Sequence, residues 1–186
     1  MLPNTMARIE TLYPLNDWDN IWKNLSFKYV RVYDRPIIFK YLHEIMANNK
    51  RLWEIKRRND PLCDSCQIED SNIHRFYYCQ NVQESLSWLK RLIFYFCGMN
   101  IDSMLNILLL DLPKVNIKVR NTLCITIISY IANTWFNRDK QGQLINSLKI
   151  KIVHDQKLNM EILKDKGKEI FTENYCKSNI DFIYRL

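Results

Sequence analysis

The segment from Cys63 to Cys79 carries the four side chains of this chain with the most definite chemistry. Cys63, Cys66, His74 and Cys79 follow one another in the pattern C-x2-C-x7-H-x4-C. Three thiolates and one imidazole make a complete tetrahedral ligand set for Zn²⁺. Because four protein ligands leave no position for a water molecule, the spacing predicts a structural zinc site and not a catalytic one.

An ordinary core is the alternative explanation of these four residues. Buried thiols behave as small hydrophobic groups, and hydrogen-bonded histidines are common in protein interiors. Four ligand-type side chains between positions 63 and 79, directly after the chain break at Asp60-Pro61, favour the metal. His43 and His154 stand apart from any second ligand, so we expect surface or hydrogen-bonded histidines there.

The remaining cysteines bear on the compartment of the protein. Cys97, Cys124 and Cys176 are far apart and odd in number. A secreted disulfide framework is therefore not expected, and the pattern predicts an intracellular, reducing environment. The N-terminus lacks the charged and apolar regions of a signal peptide, which agrees with this prediction.

Composition predicts a folded, basic protein. The chain has 186 residues, 47% of them hydrophobic, and a formal net charge of +7. This hydrophobic content excludes intrinsic disorder and allows a real core. A positive surplus is typical of proteins that bind phosphate in nucleic acids or on anionic membranes, although solubility alone explains a charge of this size. The most apolar stretch, 123–136, is too short to cross a bilayer, so no membrane partner is predicted.

Helical periodicity runs through most of the chain and predicts the elements that position the ligands. Scarce glycine and proline favour helices over turns. Before the ligands, the expected helices cover 17–25, 34–48 with Asp34 as N-cap, and a short segment around 52–55. A short helix capped by Asp70 or Ser71 should carry His74, and the next helix should start at an Asn81–Glu84 capping box and end at Gly98. Further helices are expected from 102 or 103 to 113, at 123–136 and at 144–162. Alternation at 29–33 allows one short strand.

The fold class expected from these elements is mainly α, a helical domain built around a small CCHC zinc-knuckle-like module. We expect an N-terminal helical segment at 1–62, the zinc module at 63–79 and a C-terminal helical region at 80–186, together forming one compact domain.

Basic and aromatic residues flank the ligand segment. Cations that bind phosphates and rings that stack on bases form the usual single-strand-binding surface. The residues predicted to contact RNA, or single-stranded or target DNA, are Lys56, Arg57, Arg58, Arg75, Tyr77 and Tyr78. The alternative is a solvated helix face above an ordinary core, and for Phe76 and Trp88 we expect the core.

These residues together resemble a known family. The similar parts are Trp18–Trp22, Phe39–His43, Arg51-Leu52 with Arg57, the CCHC pattern with Trp88, and the segment Ile131–Arg138, which is followed by Asp139 where the family usually has Asn. They are similar to the reverse-transcriptase zinc-binding domain of non-LTR (LINE-type) retrotransposons. The resemblance covers about residues 17–140. It implies a metal-binding tail that follows a polymerase and helps to hold template RNA or target DNA.

No catalytic residue of such elements is present. The polymerase requires an Asp-Asp dipeptide and the accompanying nuclease a Pro-Asp segment, and the chain contains neither. We therefore expect a nucleic-acid-binding module without enzymatic activity, possessing structural Zn²⁺ and detached from an upstream reverse-transcriptase domain that could be its partner. The alternatives are a zinc-stapled helical protein-interaction module and a non-functional fragment of a retroelement.

Overall fold

The computed structural model describes residues 18–25, 33–98, 107–112, 114–139, 143–164 and 183. Its architecture is mainly α-helical, which confirms the predicted fold class. Within these ranges, extended pairing is limited to one antiparallel bridge between Leu62 and Glu69. None of the described helices is both long enough and apolar enough to cross a membrane.

The helices follow the predicted order. The α-helices are α1 (Trp18–Leu25), α2 (Arg35–Leu42), α3 (Asn49–Glu54), α4 (Gln83–Cys97), α5 (Ile117–Asn137) and α6 (Leu144–Lys164). A π-helical turn, His74–Tyr78, and a 3₁₀ turn, Gln80–Val82, lie between α3 and α4. The predicted strand, apart from Tyr33, and the predicted start of a helix near 102 lie outside the described residues, as does Cys176.

The helix predicted for 34–48 is shorter than its periodicity indicated. It ends at Leu42, and Glu44 takes a left-handed backbone conformation with φ of 52°. Asn48 opens the next helix instead of closing this one, because its side chain accepts a hydrogen bond of 2.8 Å from the Arg51 N–H.

The start of α4 also differs from the prediction. Asn81 lies in the 3₁₀ turn, and its amide donates to the Ser65 hydroxyl at 2.8 Å, so it does not cap the helix. Val82 is the N-cap residue and makes no side-chain capping bond. The other end agrees with the prediction, because Gly98 terminates the helix with φ of +64°.

Helices α5 and α6 form an antiparallel pair at the centre of the molecule. The Asn133 amide donates to the carbonyl of Leu144 at 3.1 Å, and the Gln156 amide donates to the carbonyl of Thr122 at 3.3 Å. The two contacts run in opposite chain directions, which fixes the antiparallel arrangement. Every residue from 122 to 134 is buried, so this part of α5 is surrounded by the rest of the core.

The ligand segment packs directly on this core. Phe76 of the π-helical turn is fully buried, and its carbonyl accepts a hydrogen bond of 2.7 Å from the Tyr130 hydroxyl of α5. Trp88 of α4 is also fully buried, as expected from the sequence. A small second cluster joins Leu144 of α6 to the cysteines of the ligand segment. The boundaries of the three expected segments remain a prediction.

Candidate metal centre

Cys63 and Cys66 are brought together by a tight loop. The Cys63 N–H donates to the carbonyl of Ile68 at 2.8 Å, and the Gln67 N–H donates back to the carbonyl of Cys63 at 2.9 Å. Gln67 takes a left-handed conformation with φ of 57°, which reverses the chain after the second cysteine. The two intervening residues form the turn that the C-x2-C spacing predicted.

His74 and Cys79 are held at the two ends of the π-helical turn. Ser71 starts it, because its hydroxyl oxygen accepts a hydrogen bond of 3.1 Å from the His74 N–H. Ser71 was one of the two caps expected from the sequence. The Cys79 N–H donates to the His74 carbonyl at 2.7 Å, across five residues, and this wide turn accounts for the H-x4-C spacing.

The four predicted ligands converge on one point. The Sγ atoms of Cys63 and Cys66 lie 3.9 and 3.8 Å from the Sγ of Cys79. All four potential ligand atoms, with the imidazole of His74, lie within 4.8 Å of one another. Atoms at these separations can hold a metal ion between them.

His74 distinguishes this cluster from an ordinary core. The residue is only 3% exposed, yet neither Nδ1 nor Nε2 of its ring has a hydrogen-bond partner. A buried imidazole with two unsatisfied nitrogens is costly, and buried polar atoms in folded proteins nearly always find a partner. Coordination of a metal by one of these nitrogens would supply that partner.

Burial controls the proton chemistry of the cluster. It raises the pKa of the Cys79 thiol to about 12 and, as the largest cause, lowers the pKa of His74 below its ordinary value. Both groups are therefore uncharged at neutral pH in the absence of a cation. A metal ion would displace the thiol proton of Cys79, so its binding would be coupled to proton release.

A buried ion-pair network borders the cluster and was not expected from the sequence. The carboxylate of Asp70 is fully buried and accepts hydrogen bonds from Arg75, from Arg138 at 2.7 Å and from the Asn49 N–H at 3.1 Å. Burial alone would raise the pKa of Asp70, but the hydrogen bond and charge of Arg75, together with the other two donors, lower it below the ordinary value. The network ties the ligand segment to the end of α5.

Arg75 was predicted to contact phosphate, and its surroundings argue against that role. It is 7% exposed, its guanidinium pairs with Asp70, and it lies 4.9 Å from the ring centroid of Trp135. A guanidinium held in the interior by a carboxylate and an aromatic ring is not accessible to a bound strand.

The basic loop before the Cys/His cluster is on the surface. Lys56 and Arg57 are exposed, and neither forms an ion pair with a carboxylate of the described residues. Arg58 is paired with Asp64, within the turn between the first two cysteines, and lies 3.6 Å from the carboxylate of Asp60. The Arg58–Asp64 pair anchors the loop next to the knuckle.

The two tyrosines of the π-helical turn differ in exposure. Tyr78 is 58% exposed, whereas Tyr77 is half-buried. Their rings meet edge to face, with centroids 4.8 Å apart. Tyr78 is thus the more accessible ring beside the Cys/His cluster.

The other candidate ligands lie elsewhere. His43 stacks on Phe39 with ring centroids 4.1 Å apart, and the exposed His154 lies beside Asp155, as expected for histidines without a metal role. The five cysteines of the described part, which include Cys97 and Cys124, are free thiols.

Comparison of the chain with protein-family models, with curated proteins and with solved structures found no match. The resemblance to the reverse-transcriptase zinc-binding domain therefore remains a prediction that rests on the residues given above.

Proposed function

We propose that this chain is a nucleic-acid-binding module whose CCHC cluster holds one structural Zn²⁺, of the kind that follows the polymerase of non-LTR retrotransposon reverse transcriptases. The observation that carries the proposal is the convergence of Cys63, Cys66, His74 and Cys79. Their spacing is also the most specific part of the resemblance.

The donor set supports zinc as the metal. Sulfur ligands placed tetrahedrally about 2.3 Å from Zn²⁺ lie about 3.8 Å from one another. The Sγ separations to Cys79, 3.9 and 3.8 Å, agree with this value. Thiolates and an imidazole suit Zn²⁺, whereas Mg²⁺ and Ca²⁺ require oxygen ligands. With four protein ligands, the ion would join the loop at Cys63 to the π-helical turn and contribute to folding.

Accessible charge and aromatic surface beside the knuckle support nucleic acid as the partner. Lys56 and Arg57 are exposed next to the metal-binding loop, and Tyr78 is exposed immediately before its last ligand. Cations bind phosphates of any sequence, and an exposed ring can stack on an unpaired base. This combination favours single-stranded RNA or DNA.

The proposal is tested by zinc content and binding together. Purified protein should contain one zinc per chain and should bind labelled single-stranded RNA or DNA more weakly as salt increases. Cys66→Ser should lose the zinc and the binding, whereas Cys97→Ser, which alters a thiol outside the cluster, should keep both. Absence of zinc, or binding that is absent or indifferent to salt, would contradict the proposal.

A protein-interaction module is the second candidate, and exposed apolar side chains favour it. Ile117, Phe136 and Ile150 are 62, 64 and 67% exposed. Ile117 and Phe136 lie at opposite ends of α5, about 28 Å apart along its axis, so each would be a separate contact with a partner, for example an upstream reverse-transcriptase domain. Sedimentation analysis separates the candidates, because a protein that self-associates and ignores nucleic acid fits this second function.

The proposal assigns no catalytic step to the isolated chain. Among the described residues, the Cys/His cluster is the group able to hold a metal, and no group of carboxylates does so. Incubation of nucleic acid with the protein and Mg²⁺ or Mn²⁺ tests this expectation. Metal-dependent cleavage would contradict it.

A further inference from the structure

The solvent-facing side of α4 carries cations and aromatic rings that the metal centre does not use. Lys90, Arg91, Phe94 and Tyr95 are all exposed on this helix, and we call them the α4 face. The two rings are 51 and 43% exposed. Large rings left this accessible, side by side with cations, are typical of an interaction surface and not of a solvated helix face.

Helical spacing makes the α4 face one continuous surface. Residues four apart on a helix are neighbours, so Lys90 lies next to Phe94 and Arg91 next to Tyr95. The opposite side of the helix is buried in the core through Leu89, Leu92, Ile93 and Phe96. Because the core fixes the rotation of the helix, all four side chains are held toward solvent.

The α4 face is continuous with the knuckle. The Lys90 Nζ lies 5.5 Å from the ring centroid of Tyr77, and that ring in turn meets Tyr78. The Gln83 amide donates to the Tyr77 carbonyl at 2.7 Å, which joins the π-helical turn to the start of α4. Aromatic rings and cations therefore extend from Tyr78 through Tyr77 to Lys90, and from there along about one and a half turns of helix to Tyr95.

The charge of this surface indicates the kind of partner. Among the described residues, neither Lys90 nor Arg91 forms an ion pair with a carboxylate. The acidic residue of α4, Glu84, lies seven positions before Arg91, about 10 Å along the helix axis. A partner must supply both negative charge and flat apolar faces at short intervals, and a single strand of nucleic acid supplies both in every nucleotide.

We propose that a single strand of nucleic acid follows the α4 face from Tyr78 toward Tyr95. Lys90 and Arg91 bind its phosphates, and Phe94 and Tyr95 stack on its bases. This inference rests on the proposed function and assigns to it a specific binding path.

The first test measures the phosphate contacts. The affinity of the zinc-loaded full chain for a short single-stranded RNA, and for DNA of the same sequence, is followed by fluorescence anisotropy between about 50 and 200 mM salt. The double variant Lys90→Gln/Arg91→Gln should reduce the slope of log affinity against log salt by about 1.4, because each phosphate contact on a single strand contributes about 0.7. The matched control Lys114→Gln/Lys157→Gln removes the same charge from other exposed positions and should bind like the wild-type protein.

The second test measures stacking. Phe94→Leu keeps an apolar side chain but removes the aromatic face, and it should weaken binding about 5- to 140-fold, the equivalent of about 1–3 kcal/mol per stacked base. Phe94→Trp should restore the affinity. Phe136→Leu, which changes a ring on α5 that is more exposed than Phe94, should have no effect. Duplex of the same sequence should bind more weakly, because its bases are already stacked.

The outcomes separate this inference from the proposed function. If the wild-type protein binds single strands with salt dependence but the α4 variants bind like their controls, the path lies elsewhere and this inference is overturned while the proposed function stands. If the wild-type protein binds no nucleic acid, both fail. If the α4 variants lose binding only to phosphatidylserine vesicles, the surface serves an anionic membrane and this inference is also overturned. Circular dichroism confirms that each surface variant is folded, and tighter binding of either RNA or DNA in the wild type identifies the preferred strand.

Discussion

At the scale of single residues, the ligand types could be predicted from the sequence and their surroundings could not. The metal-ligand spacing of the cysteines and the histidine is visible in the sequence, and the structure brings the four side chains together. The burial of Arg75 could not be predicted, because its position next to His74 in the sequence does not show whether its side chain faces the interior or the solvent. Its partner Asp70 is shared with Arg138, which lies 68 residues further along the chain. Long-range pairing of this kind leaves no local pattern.

Replacement of one ligand tests the metal centre directly. Cys66→Ser should lower the affinity for zinc by more than about 100-fold, because a neutral hydroxyl replaces a thiolate and the loss exceeds that from changing a residue that only supports a ligand. Competition against a chromophoric chelator measures this affinity. Cys97→Ser, outside the cluster, should leave it unchanged, and equal affinities for the two variants would contradict the predicted ligand set.

The buried thiol of Cys124 predicts how stability depends on alkaline pH. Burial raises the pKa of this thiol from 9.0 to about 12. Below pH 9 the thiol is protonated in both the folded and the unfolded chain, so its contribution to stability is complete. Above pH 9 the unfolded chain ionises first, and the free energy of unfolding should fall by about 1.4 kcal/mol per pH unit until pH 12.

Urea unfolding of the wild-type protein and of Cys124→Ala at a series of pH values checks this prediction. The variant should be less stable near pH 8, because it loses a buried sulfur, and the difference should shrink above pH 9. A difference that stays constant up to about pH 11 would show that the thiol is not shielded as described.

At the scale of the elements, periodicity predicted which segments are helical but not where each helix ends. The apolar stripe on α4 agrees with a helix that is buried on one face, and the apolar content of α5 agrees with a helix that is buried on all sides. The ends of a helix depend on which of several possible local hydrogen bonds a side chain makes. Asn48 and Asn81 show this, because the first caps a helix that it was expected to close and the second bonds to Ser65 instead of capping.

The end of α4 allows the energetic cost of a left-handed backbone conformation to be measured without a steric clash. Gly98 has φ of +64°, and a Cβ added there meets no atom within 4 Å. Gly98→Ala should therefore destabilise the protein only through the left-handed conformation, by about 1 kcal/mol, and Gly98→Asn by less. Urea unfolding measures both, with the exposed Ser87→Ala as a control expected to lie within about 0.5 kcal/mol of wild type. Equal stability of Gly98→Ala and wild type would contradict the described cap.

The contact between the ligand segment and α5 depends on Asp70. Asp70→Asn should reduce the free energy of unfolding by about 3–5 kcal/mol, because Arg75 and Arg138 lose the buried carboxylate that they share. Asp139→Asn removes an exposed carboxylate from the same Arg138 and should cost at most about 1 kcal/mol. Chemical unfolding of the two zinc-loaded variants compares them, and similar losses would mean that the buried network is not the stronger contact.

At the scale of the whole molecule, the metal and the helical core should behave as one cooperative unit. Residues of α1, α2, α4, α5 and α6 share one hydrophobic core, and Phe76 of the ligand segment belongs to it. A change at the metal centre is therefore expected to reach helices that contain no ligand.

Removal of zinc tests this coupling. Zinc at about 100 times its dissociation constant should stabilise the folded protein by about 2.7 kcal/mol, so a chelator should lower the melting temperature of the entire helical signal. Re-addition of Zn²⁺ should restore it and Mg²⁺ should not, because the donors are sulfur and nitrogen. Cys66→Ser should melt at the same temperature with and without chelator. A chelated wild-type protein that melts unchanged would show that the core folds independently of the ion.

The carbonyl of Phe76, held by the hydroxyl of Tyr130, has a practical consequence for protein engineering. A knuckle that folds alone can be transplanted into another scaffold as a short peptide. The segment from Cys63 to Cys79 instead contacts Tyr130 of α5, and Leu144 of α6 packs against its cysteines. A graft of 61–82 would contain the four candidate ligands but not the helices that pack against them. A fragment intended for transplantation must therefore include α5 and the beginning of α6.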